Sequence, residues 1–189
     1  VLGSYAAWMG WQSYSAKQAA QSAALYDTVE RAAVTGDMAL LDRSVADIKD
    51  KFASTSYAQQ AALLAARLYQ LKSRPNDAKA QLSWVIDKSG DEGYQSLARL
   101  RLAALLIEDK AFDEARKQLS AKSPAAFAPL MADRLGDVDM LQNQPAEAVK
   151  HYQQAWKGFE PNAEYRRLVA VKLAALGADP EDAAQETKK

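Results

Sequence analysis

Ala115-Arg116-Lys117-Gln118-Leu119 is the stretch from which the fold can be read. A small residue stands one helical turn before a large apolar one, with three polar side chains between them. The figure returns at Ala78-Lys79-Ala80-Gln81-Leu82 and at Ala148-Val149-Lys150-His151-Tyr152. The middle copy begins 37 residues after the first, and the last begins 33 residues after the middle one. Upstream of each copy lies a second pairing: Ala65-Ala66 with Tyr69, Leu102-Ala103 with Leu106, and Leu135-Gly136 with Met140 close to the expected place. A weaker unit, anchored on Leu41, precedes these. Alanine or glycine at a helix crossing lets two antiparallel backbones approach, and the large residue a turn later fills the gap beside them. One such hairpin cannot cover its own apolar face, so neighbours stack into a continuous core.

The rest of the chain agrees with helices in series. Ala and Leu are abundant, and they lose least on entering a helix. Val, Ile and Thr never gather into an alternating run. Residues 15–33 continue a first helix, which Gly36-Asp37 stops. Leu41, Val45, Ile48 and Phe52 mark one face of a second. Ser54-Thr55-Ser56 breaks that helix and caps a third, from Tyr57 to Leu71, and Asn76 caps a fourth, from Asp77 to Asp87. Ser89-Gly90-Asp91-Glu92-Gly93 is a loop, followed by helices from Tyr94 to Glu108 and from Phe112 to Leu119. Ser123-Pro124 and Pro145 start a seventh and an eighth by the proline signature, and Asn162 caps a ninth that ends at Gly177. The segment 178–189 has no apolar face and reads as a disordered polar tail. The expected fold is all-α, an α-solenoid of helical hairpins over residues 15–177 behind a long N-terminal helix. A helical pair repeating about every 34 residues, with small residues at the crossing, is similar to the tetratricopeptide repeat.

The opening, Val1-Leu2-Gly3-Ser4-Tyr5-Ala6-Ala7-Trp8-Met9-Gly10-Trp11, is apolar or small throughout. A spanning helix needs about twenty such residues, roughly twice this run. Tyr5, Trp8, Trp11 and Tyr14 are amphipathic rings of the kind that collect where hydrocarbon meets headgroups. Residues 1–14 are therefore read as the exit half of a transmembrane anchor, with those four at the membrane interface. The alternative is a buried first helix of a soluble domain.

Composition excludes several functions. Lys+Arg and Asp+Glu are both 24, so there is no basic surplus to displace counterions from nucleic acid. Cysteine is absent, which removes disulfides, thiolate catalysis and zinc–cysteine sites. His151 is the only histidine, without a second His or Cys to complete a zinc or triad arrangement; it reads as a half-exposed helix residue. Asp133, Asp137 and Asp139 interrupt a helical pattern, which favours a solvated acidic face over a metal site. No phosphate-cradling loop or nucleophile elbow occurs. The expectation is a protein-binding module with no catalytic residue, no cofactor, no metal and no small-molecule substrate.

Gly10-Trp11 with Tyr14, Leu100-Arg101-Leu102-Ala103, and Ala132-Asp133 with Leu135-Gly136-Asp137 carry a more specific likeness. Over nearly the whole chain the sequence resembles the YfgM family, ancillary subunits of the bacterial SecYEG translocon. The resemblance implies a single-pass inner-membrane protein with its repeat domain in the periplasm. It also implies partners: the SecYEG translocon and a membrane-anchored, prolyl-isomerase-like periplasmic chaperone for exported proteins. The alternative is a scaffold subunit of another envelope assembly machine, in outer-membrane or pilus biogenesis. In such repeats the first helix of each hairpin lines a concave groove. That places Gln60, Leu63, Arg67, Gln70, Leu100, Ala104, Ile107, Leu130, Asp133, Asp137 and Met140 on the partner-binding surface. A terminal helix folding into the groove would instead bury the apolar members of this set.

Overall fold

Prolines and left-handed turn residues decide where the helices begin and end. The computed structural model describes residues 2–180, and among these the backbone forms nine helices and no strand. The chain divides into two units, Val1–Ala98 and Arg99–Lys189.

The first unit holds α1 (Leu2–Thr35), α2 (Met38–Lys51), α3 (Ser56–Leu71), α4 (Pro75–Lys88) and the start of α5 (Glu92–Glu108). At 34 residues α1 is about 50 Å long, and its two halves differ. Between Ser4 and Gln21 no described side chain is buried, whereas Ser22, Val29 and Ala32 are. The lower half packs on α2 and α3, covering Leu41, Val45 and Ile48 of α2. Gly36 ends α1 at φ +72°, a backbone conformation that favours glycine, and the Asp37 carboxylate then accepts the Leu40 N–H at 2.9 Å to cap α2. α3 and α4 pack together with Ala62, Ala65 and Ala66 buried on one and Ala78 and Leu82 on the other.

The second unit holds the rest of α5, α6 (Phe112–Leu119), α7 (Ala128–Leu141), α8 (Pro145–Gly158) and α9 (Glu164–Ala175). One core joins Ala103, Ala115, Leu119, Leu135 and Val138. A second joins Ala132, Ala148, Tyr152, Ala155, Val169 and Leu173, so α9 closes the row by packing on α8. The α7–α8 crossing is close: a Cβ added at Gly136 would lie 2.5 Å from Cε1 of Tyr152. The three motif alanines, Ala78, Ala115 and Ala148, are each 0% exposed, and Leu82, Leu119 and Tyr152 at most 3%.

The repeat is also written in the turns. Ser73, Lys110 and Asn143 have φ of 58°, 60° and 59°. In each turn the following N–H reaches back five residues, from Arg74 to Tyr69 O, Ala111 to Leu106 O and Gln144 to Asp139 O, at 2.8 Å each. This is the glycine-type helix stop made without glycine, and a left-handed L-residue costs about 1 kcal/mol. Lys110→Gly is expected to stabilise the chain by about 0.5–1 kcal/mol, measured by urea denaturation.

Several boundaries differ from the sequence reading. α3 and α5 begin at Ser56 and Glu92, ahead of the expected Tyr57 and Tyr94. α4 ends at Lys88, past the expected Asp87, and α9 ends at Ala175, before the expected Gly177. Three starts differ for a clear physical reason. α4 starts at Pro75, which needs no N–H partner at the first helical position, so Asn76 lies inside the helix and caps nothing. α7 starts at Ala128, not at Ser123-Pro124. A helix running from Pro124 would put Pro129 in its interior, where the ring clashes and the N–H is missing; at the second helical position it costs little. α9 is entered through Ala163 with no side-chain cap, while Asn162 sits in the preceding turn. At the far end Ala178 folds back, its N–H donating to Leu173 O at 3.0 Å; of the expected polar tail, residues 181–189 lie outside the described residues.

Candidate partner-binding site

In the second unit α5 and α7 are each first helices of a hairpin, so the face turned away from the second helices is left uncovered. Between them runs a groove of about 540 Å³. Leu100, Ala104 and Ile107 of α5 face Leu130 and Leu141 of α7 across it, which makes an apolar floor. Arg101, Glu108, Arg134 and Asp137 add both signs of charge to its lining, and Tyr165 of α9 closes one side. The terminal helix thus forms a wall of the groove.

Of the second-unit residues expected on this surface, Leu100, Ala104, Ile107, Leu130 and Asp137 line the groove. Met140 is 41% exposed and is not part of the lining. Asp133 is fully buried, and both its oxygens are taken, by Tyr165 Oη at 2.9 Å and Lys172 Nζ at 2.7 Å. Helical phase explains the difference. At about 100° per residue, positions 130, 134, 137 and 141 stay within about 40° of one line, whereas 133 and 140 swing about 60–80° to one side. Arg134 and Leu141 were therefore legible as continuations of the Leu130–Asp137 stripe. Tyr165 carried no such signal, because its position depends on how α9 packs.

In the first unit the four expected residues divide. Arg67 and Gln70 are exposed, Gln60 is half-buried and donates to Tyr94 Oη at 2.9 Å, and Leu63 is buried at 6%. Near the start of α1, Tyr5, Trp8, Trp11 and Tyr14 are all more than half exposed, with the Tyr5 and Trp8 rings stacked at 6.0 Å. Among the described residues no helix is long and apolar enough to cross a membrane.

Beneath the groove lies a charged network that fixes α9 to α7. Lys172 reaches Asp133 and Asp137 at 2.7 Å each and stands 5.0 Å over the Tyr152 ring. Asp137 also accepts Tyr152 Oη at 2.8 Å and Arg134 at 2.9 Å. Burial and the charge of Asp133 push the Tyr165 hydroxyl up to about 12, so it stays a donor at neutral pH. A second cluster joins the hairpins: fully buried Asp139 takes Arg116 at 2.7 Å and His151 Nδ1 at 2.5 Å. The expected solvated acidic face is thus corrected for Asp133 and Asp139, which are buried and each paired with a cation on a neighbouring helix, Lys172 and Arg116. Among the described residues no group of three or more acidic or histidine side chains is placed to hold a metal ion.

Comparison with known proteins gives the same picture of the fold. The profile of a family described as a tetratricopeptide repeat-like domain matches residues 1–178. A protein of Neisseria gonorrhoeae named ancillary SecYEG translocon subunit is 30% identical over 173 residues, covering 89% of this chain and 83% of its own length. One of the same name from Haemophilus influenzae is 27% identical over 154 residues, covering 82% of this chain and 75% of its own.

Proposed function

The chain belongs to the tetratricopeptide repeat-like family that includes the ancillary SecYEG translocon subunits, and we propose that it serves the translocon as a non-catalytic protein-binding module. Its partners in this reading are SecYEG and a membrane-anchored, prolyl-isomerase-like chaperone that receives exported chains. In this reading residues 1–14 belong to a single inner-membrane anchor, with Tyr5, Trp8, Trp11 and Tyr14 at headgroup level, and the repeat domain stands in the periplasm. The exposure of those four rings supports that placement.

The observation that carries the proposal is the groove between α5 and α7. An apolar floor with both charge signs around it suits a protein segment, whose buried side chains supply affinity while rim charges select orientation. In the first unit, Gln60, Arg67 and Gln70 offer polar contacts, whereas buried Leu63 supports the helix from beneath. In the second, Met140 extends the contact surface beside the groove, and Asp133 acts indirectly, by holding Tyr165 and Lys172 of α9 in place.

The test is gentle detergent extraction of the tagged, membrane-bound protein and identification of what co-purifies. Translocon subunits and the chaperone are expected. Ala104→Trp fills the groove from an exposed position, and is expected to lower their recovery at least about tenfold, equivalent to roughly 1.4 kcal/mol, with unchanged thermal stability. Equal recovery would remove the groove from the account. Recovery of an outer-membrane or pilus machine instead would keep the fold and discard the assigned partner.

A further inference from the structure

A second polar pocket, of about 210 Å³, lies wholly within the first unit, where the starts of α3 and α5 meet. Ser54, Ser56, Gln59, Ser89, Asp91 and Tyr94 line it, together with Gly90. Gln59 is only 3% exposed. Its Nε2 donates to Ala53 O at 2.9 Å, which fixes the amide, while its buried Oε1 accepts no hydrogen bond from the described residues. A buried carbonyl left without a donor costs about 1–3 kcal/mol. The space is several times the roughly 30 Å³ share of one water.

The charges around the pocket select the ligand. Two helix N-termini, each with partial positive charge, oppose an ammonium ion. The Gln59 carbonyl and the Asp91 carboxylate, whose Oδ1 already caps Gly93 and Tyr94 at 2.7 and 3.1 Å, oppose a carboxylate. A neutral group carrying donor and acceptor together meets both conditions. The hydroxyls of Ser54 and Ser56 can donate to its carbonyl, and its N–H can satisfy Gln59. We propose that this pocket takes a peptide group of an extended partner segment, at a site separate from the groove in the second unit.

The test uses the full chain, ¹⁵N-labelled, titrated with N-acetylglycine N-methylamide. Saturable shifts are expected at the Gln59 side-chain amide, Ser56, Ser89, Gly90 and Tyr94, with a Kd on the order of 10 mM for so small a probe. Ser56→Phe, a change at an exposed position that blocks the pocket, and Gln59→Met should each weaken binding at least tenfold. The first leaves the core untouched, so a folding failure of the second does not end the test. Absence of saturable shifts would overturn the proposal, as would equal binding of methylammonium, acetate or glycerol. Survival of the shifts in Ser56→Phe would overturn it too. None of these outcomes depends on the translocon, so this site and the groove stand or fall separately.

Discussion

Lys172→Met is expected to destabilise the second unit by about 3–5 kcal/mol, the cost of breaking a buried ion pair from one side. Lys172 is the ammonium that two carboxylates share, at 2.7 Å each. Without it Asp133, fully buried, keeps only the Tyr165 hydroxyl, and Asp137 keeps Tyr152 and Arg134. Methionine preserves most of the stem volume, so the loss reports charge more than packing. Adding Asp133→Asn removes the stranded charge while leaving an oxygen for Tyr165, and is expected to recover about half of the loss. Urea denaturation with hydrogen exchange across α7–α9 reads both. A loss below about 1 kcal/mol would place this pair with exposed salt bridges and leave α9 held mainly by apolar packing, with Val169 and Leu173 at its centre.

Gly136→Ala should cost about 2–3 kcal/mol, at the upper end of the range for overpacking a core. An alanine usually favours a helix interior by about 1 kcal/mol over glycine, so the sign of this change is opposite to propensity. The added methyl carbon would sit 2.5–2.9 Å from three atoms of the Tyr152 ring. That ring cannot swing aside freely: it is 3% exposed, and its hydroxyl is bonded to Asp137. Tyr152→Leu in the same chain vacates the space, so the two changes should couple by at least about 1 kcal/mol in a double-mutant cycle. Additive effects would mean that the crossing is not set by this contact.

The contrast between these two residues shows what the sequence could reveal. Gly136 stood at a repeat position, where a small residue before a large one announces a crossing, and the crossing is where the motif places it. Lys172 gave no sign. Its role depends on α9 lying across α7, a tertiary fact with no local period. For the same reason Asp133 and Asp139 read as solvated, since the side chains that pair with them come from α6, α8 and α9. Helix starts failed where two signals competed, as at Pro75 against Asn76, because proline at the first turn is a steric condition and a polar cap only a preference. The groove was legible in its α5 stripe, where spacing of four and three keeps Leu100, Ala104 and Ile107 in line. On α7 the expected steps of three, from 130 to 133 and from 137 to 140, drifted off the true face. The pocket at Gln59 was out of reach, because an unpaired carbonyl is visible only once its neighbours are placed.

The central claim, that the α5–α7 groove receives a translocon partner, is tested most directly by site-specific photo-crosslinking in living bacterial cells. A photoreactive side chain at Ala104, in the groove, is compared with one at Lys117, exposed on the second helix of the same hairpin. Crosslinks from position 104 to a translocon subunit or its associated chaperone, with none from position 117, are the predicted result. Crosslinks to those proteins from position 117 alone would contradict the account and move the partner to the opposite face of the repeat.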